Sequence, residues 1–187
     1  MPDFRRYFVR GGTYFFTVVS AGRAPLFQSG QARTLLGQVM REQREQAPFE
    51  TLAIVLMPDH LHALWTLPEG DDDYPNRWKA IKAKFTSRWL EAGGGEQPVS
   101  DGYRHQRRRG IWQPRFFEHT IRDEEDLHNH ADYIHYNPVK HGWVRCPKHW
   151  AWSSFHRFAA RGHYPENWGC LDQPPPDFGS LDEGLLE

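Results

Sequence analysis

The chain has 187 residues, the size of one globular domain, and its 39% hydrophobic and 14% aromatic content, eight tryptophans included, excludes wholesale disorder. Its longest uncharged stretch, residues 11–22, carries Thr13, Thr17 and Ser20 and is too short to span a bilayer, and the opening Met-Pro-Asp-Phe-Arg-Arg lacks the apolar block of a secretory signal, so a cytoplasmic protein is expected. The net charge of −1 hides a division: every Lys and Arg lies at or before Arg161, which gives residues 1–161 a charge of +5 and leaves −6 on the rest. A basic body of this kind is compatible with a polyanionic partner. Cys146 and Cys170 stand in neither a metal-ligand nor a redox spacing and are expected as free thiols.

Residues 13–19 (TYFFTVV) are aromatic and β-branched and read as a strand entered through Gly11-Gly12. Leu35, Leu36, Val39 and Met40 give residues 31–46 the period of an amphipathic helix. Residues 52–57 (LAIVLM) form a continuous apolar run, which predicts a strand buried on both faces. From residue 60 to 67 the period is 2, with Leu61, Ala63, Trp65 and Leu67 on one face and His60, His62, Leu64 and Thr66 on the other. Asp71 to Asp73 open a second helix whose stripe is Trp78, Ile81, Phe85 and Trp89, the tryptophans being expected in the core rather than as base-stacking platforms. Residues 92–110, with a triglycine and a triarginine, read as a flexible basic loop, and residues 111–120, which contain Pro114, as an edge strand or extended segment. A third helix is predicted from Asp123, an N-cap, to Asn137 before Pro138. The order β-α-β-β-α-β-α suits an α+β fold, a ferredoxin-like antiparallel sheet with packed helices, over residues 1–164. Residues 165–187 are acidic, contain Pro174-Pro175-Pro176, and are expected as a flexible tail.

His60 and His62, on one strand face and about 6.5–7 Å apart along the backbone, can chelate one cation or can be an ordinary solvated or core-edge pair. His128 and His130 have the same spacing on a helix, where i and i+2 diverge, and are poor co-ligands. On the third helix Asp126, His130, Tyr133 and Asn137 share the flank of a Leu127, Ala131, Ile134 stripe. Two imidazoles and an amide oxygen form an open site that suits Mg²⁺ or Mn²⁺ better than structural zinc. A tyrosine beside a cation-bound phosphate can act as a nucleophile, while the plain alternative is that Tyr133 packs at the stripe edge.

Three segments change that balance: RRYFVRGGTYFFTV at 5–18, MPDHLHALWTLPEGDDDYPNRWKAIKAKFT at 57–86, and IWQPRFFEHTIRDEEDLHNHADYIHYNPVKHGWV at 111–144. Together they resemble the REP-associated tyrosine transposases, which belong to the single-tyrosine HUH endonucleases, REP being a repetitive extragenic palindromic sequence. The resemblance runs from about Arg5 to Arg161 and implies an HUH-type fold. It implies that His60 and His62 are the His-hydrophobic-His metal ligands, that Tyr133 is the nucleophile, and that Asn137 is a third ligand. The reaction it implies is Mg²⁺- or Mn²⁺-dependent cleavage of single-stranded DNA near a REP hairpin through a covalent 5′-phosphotyrosine, followed by strand transfer. Arg5, Arg6, Lys82, Lys84, Arg115 and Lys140 are expected phosphate contacts. A REP-hairpin-binding regulator with weak or no cleavage is the alternative. A two-histidine metallohydrolase is a third reading, against which stands Leu64 where a His-x-His-x-Asp pattern needs a carboxylate. The sequence leaves monomer and homodimer both open.

Overall fold

The computed structural model describes residues 8–105, 108–179, 181, 182 and 184. In chain order its elements are β1 (Thr13–Val19), α1 (Gly30–Gln46), β2 (Glu50–Leu56), β3 (His60–Thr66), α2 (Tyr74–Glu91), α3 (Asp101–His105), β4 (Phe117–Thr120), α4 (Glu124–Lys140) and α5 (Phe155–Ala160). The strands form one antiparallel sheet in the order β2-β3-β1-β4, the ferredoxin-like arrangement expected from the alternation of elements. No helix among the described residues is long and apolar enough to cross a membrane.

The two faces of the sheet bury separate cores. Tyr14, Phe16, Val18, Leu61, Ala63 and Trp65 meet α1 and α2, whereas Phe15 and Leu64 meet α4. Trp78 stacks on Trp65 with ring centres 4.1 Å apart, a contact worth about 0.5–1.5 kcal/mol beyond its area. Arg77, itself buried, ties the start of α2 to the α1–β2 turn by bonding the Ala47 and Pro48 carbonyls and pairing with Asp71 at 2.6 Å. Ser29, Asp73 and Asp123 cap α1, α2 and α4, each accepting a backbone N–H three residues on.

Several expectations need correction. β2 is an edge strand, so although both its faces pack, Ala53 and Val55 in the α4-side core and Ile54 and Leu56 against the α1–α2 core, Leu52, Ile54 and Leu56 are only half-buried. β4 covers only Phe117–Thr120, and Pro114 lies outside it. α4 runs one turn past Asn137, with Pro138 inside its last turn. The basic segment after α2 is folded: Trp89 Nε1 donates to the Gly95 carbonyl at 2.9 Å, Arg109 grips Glu96 with two nitrogens, and α3 lies between. Glycine is required at 110, where a Cβ would lie 1.8 Å from the Gln97 carbonyl oxygen.

The cysteines are not free thiols: Cys146 and Cys170 form a disulfide, Cα atoms 4.1 Å apart, because the loop after α4 and the acidic segment run side by side, with Leu171 N–H on the Arg145 carbonyl. The described part of the segment expected as a flexible tail is thus fastened to the body. Trp168 stacks on Tyr164 at 4.2 Å, and Phe178 is buried in the α4-side core.

Candidate active site

The period-2 pattern of β3 turns His60 and His62 toward α4, with ring centres 4.8 Å apart. Both are buried rather than solvated, 2% and 0% exposed. Each has its Nδ1 held by an oxygen: Asp59 Oδ1 at 2.7 Å for His60, Thr17 Oγ1 at 2.9 Å for His62. Asp59 fixes His60 with Nδ1 protonated and the Nε2 lone pair turned inward, the tautomer a cation needs. Burial works to raise the Asp59 carboxyl, but the hydrogen bonds from His60 and Arg23 and the Arg23 charge outweigh it and hold it below the usual carboxylate range.

From α4, Asn137 brings Oδ1 to 3.4 Å from His60 Nε2. Its amide nitrogen is buried with no acceptor among the described residues. Two imidazoles with outer oxygen partners and an amide oxygen fit a divalent cation that keeps open positions. One helical turn earlier stands Tyr133, its ring 5.3 Å from that of His62. Lys140, two turns on, donates from Nζ to the Tyr133 hydroxyl at 3.2 Å and lies 4.7 Å from the ring centre. Tyr133 is wholly buried, and Phe178 packs edge-on against it at 5.8 Å.

A second group on the same side of the sheet, His119, Asp126 and His130, also brings possible ligand atoms within 4.8 Å of one another. There Asp126 Oδ2 already accepts from His119 at 2.8 Å and from the backbone and side chain of Arg122 at 3.0 Å each. Burial opposes ionisation of Asp126, yet these donors hold its carboxyl well below the usual range. The Arg122 guanidinium supplies the positive charge a metal would bring, so His60, His62 and Asn137 suit a cation better.

The structure therefore gathers His60, His62, Asn137, Tyr133 and Lys140. Lys82 and Lys84 diverge on α2: the first bonds the Gln113 carbonyl, the second Gln43 and Gln46 of α1. Arg115 is exposed ahead of β4, and Arg5 and Arg6 lie outside the described residues. Sequence reasoning missed Asp59, Thr17 and Phe178. Only Asp59, next to His60, left a signal in the chain.

A family model described as "Transposase IS200 like" matches residues 9–137, which include the two histidines, Tyr133 and Asn137. The REP-associated tyrosine transposase of Escherichia coli (strain K12) is 44% identical over 168 residues, 90% of this chain and 91% of that protein. A putative REP-associated tyrosine transposase of Haemophilus influenzae is 44% identical over 169 residues, 90% and 94% of the two chains. A solved structure of a REP-associated tyrosine transposase bound to a REP hairpin has a TM-score of 0.74 and 39% identity, covering 97% of this chain and 96% of its own.

Proposed function

The chain belongs to the IS200-like transposase family and, within it, to the REP-associated tyrosine transposases, and from that premise we propose that it cleaves and rejoins single-stranded DNA beside REP hairpins through Tyr133. The observation that carries this reading is the convergence of Tyr133, Lys140 and Asn137 of α4 on His60 and His62 of β3. The similar protein solved with a REP hairpin supports the substrate class.

In the proposed step the Tyr133 oxygen attacks the scissile phosphorus in line. An O–P bond to the tyrosine forms and the P–O3′ bond breaks, which leaves a 5′-phosphotyrosine and a 3′-oxygen that takes up a proton. The tyrosine proton passes to solvent. A free tyrosine titrates near ~10, so attack at neutral pH needs the phenolate stabilised, and the Lys140 ammonium at 3.2 Å does this. Bound at His60, His62 and Asn137, Mg²⁺ or Mn²⁺ would draw charge from the phosphate oxygens. Asp59 and Thr17 keep the two imidazoles aimed. Attack by a second 3′-hydroxyl on the phosphotyrosine reverses the step and transfers the strand. Lys82, Lys84, Arg115 and Lys140, with Arg5 and Arg6, are assigned to phosphates. Residues 1–164 form the catalytic domain in this reading, 165–187 an appended acidic tail, and action on chromosomal DNA places the protein in the cytoplasm.

One observation favours the alternative of a hairpin-binding regulator: Tyr133 is 0% exposed. A single assay decides. Protein incubated with single-stranded REP DNA and Mn²⁺ or Mg²⁺ yields a covalent protein–DNA band on a denaturing gel if the cleavage reading is right. Hairpin binding without any such band under either metal supports the regulator instead.

A further inference from the structure

A cleft of about 850 Å³ opens between α2 and residues 98–103 and 108–114, on the side of the molecule away from α4. Its described lining residues include Lys79, Lys82, Arg108 and Arg109 and no carboxylate. Arg109 is neutralised by Glu96 at 2.7 Å, but Lys79, Lys82 and Arg108 have no ion pair among the described residues. Lys82 is the telling one. It is half-buried, it donates to the Gln113 carbonyl at 2.9 Å, and the rings of Trp112 and Phe116 lie beside it. Burial pushes its ammonium down to about 8. A cation withdrawn from water beside a carbonyl and two rings retains its charge best when an anion joins it.

The same wall carries Tyr103, 40% exposed, with the Arg108 guanidinium 5.2 Å from its ring centre. Cations spaced along a groove beside an exposed ring are the chemistry of unpaired nucleic acid, where the ring stacks on a base and the cations follow phosphates. The volume is that of a small-ligand pocket, which admits a nucleotide and excludes a duplex.

The cleft is joined to the metal-ligand end of the sheet. Ala21 and Gly22, in the turn after β1, line it; the next residue, Arg23, pairs with Asp59 at 3.2 Å, and Asp59 holds His60. Its opposite wall is stitched to the same turn by Ala21 N–H on the Ile111 carbonyl and Gln113 N–H on the Val19 carbonyl. We propose that this cleft is a subsite for unpaired DNA nucleotides flanking the hairpin, with Lys79, Lys82 and Arg108 on phosphates and Tyr103 stacked on a base. The assignment rests on the DNA-cleaving reading above.

The test uses the full chain and a fluorescent REP hairpin carrying single-stranded flanks. In 0.1 M salt, Lys79→Glu/Arg108→Glu lowers affinity at least about tenfold and reduces the slope of log affinity against log salt by about 1.4, two phosphate contacts on a single strand. Tyr103→Ala weakens binding about tenfold and Tyr103→Phe restores it, because stacking needs the ring alone. Arg41→Glu, an exposed change on α1, leaves affinity within twofold. For a readout independent of variants, 5-iododeoxyuridine in the flank crosslinks to Tyr103 on irradiation. Wild-type binding and covalent-band formation with unchanged cleft variants, or crosslinks confined to other residues, overturns the subsite and spares the cleavage reading. A wild type that binds no DNA overturns both.

Discussion

The burial of Tyr133, the proposed nucleophile, makes access to it the quantity to perturb. Phe178 is 8% exposed and touches two rings of α4, Tyr133 at 5.8 Å and 82° and Tyr136 at 5.8 Å and 47°. At about 0.5–1.5 kcal/mol for each aromatic pair beyond its buried area, the two contacts hold this cover closed by about 1–3 kcal/mol. That corresponds to about 5–150-fold in the ratio of open to closed molecules. Phe178→Ala should therefore raise the initial rate of covalent protein–DNA formation within that range, as long as opening limits attack in the wild type. The assay is the time course of the covalent band with single-stranded REP DNA and Mn²⁺, with circular dichroism to confirm the native fold. A simpler electrostatic role for the segment is separable. Truncation after Tyr164 also removes six acids, and any gain in DNA affinity that comes from their charge shrinks as salt rises, whereas the Phe178→Ala gain persists, since ring packing is not screened. A natively folded Phe178→Ala protein that forms the band at the wild-type rate would refute the cover; affinities equal with and without the acidic segment across a salt series would leave it to aid solubility alone.

Tyr133→Phe removes the attacking oxygen and the Lys140 bond but little volume, so stability should drop by only about 0.5–1.5 kcal/mol while the covalent band disappears; a residual band at wild-type rate would move the role to another tyrosine, Tyr136 being nearest in the chain. His60→Ala/His62→Ala takes out two buried rings with their Asp59 and Thr17 partners, so its melting temperature should fall along with activity. The diagnostic is that added Mn²⁺ raises the wild-type melting temperature and leaves that of the variant unchanged. His130 is held down to about 4 by burial, outweighing its bond to the Asp126 carbonyl, with His119, Asp126 and Arg122 as its charged neighbours. The unfolded chain accepts that proton near ~6.5, so stability complete above this pH is lost as pH falls toward about 4. Urea titrations between pH 7 and 4 should give His130→Gln a shallower loss than the wild type by about one proton, and identical slopes would exclude the linkage.

Local order in the chain was enough to orient the chemistry. The alternation in β3 put His60 and His62 on one face, and the helical repeat put Tyr133 and Asn137 on one side of α4, because both periods are fixed by backbone geometry within a few residues. The continuous run at 52–57 could not reveal that β2 lies at an edge, since a run of apolar side chains says nothing of how many strands flank it. The matching of the two halves of the site also came only with the fold: Thr17 reaches His62 across 45 residues and Asn137 reaches His60 across 77. The joining of Cys146 to Cys170 and the seating of Phe178 on Tyr133 have the same origin. In a stretch with four prolines, six acids and scattered apolar residues, no periodicity marks Phe178 as a core residue. Its place is set by the shape of the α4 surface it fills, and that surface exists only after β1 and β3 have packed beneath it.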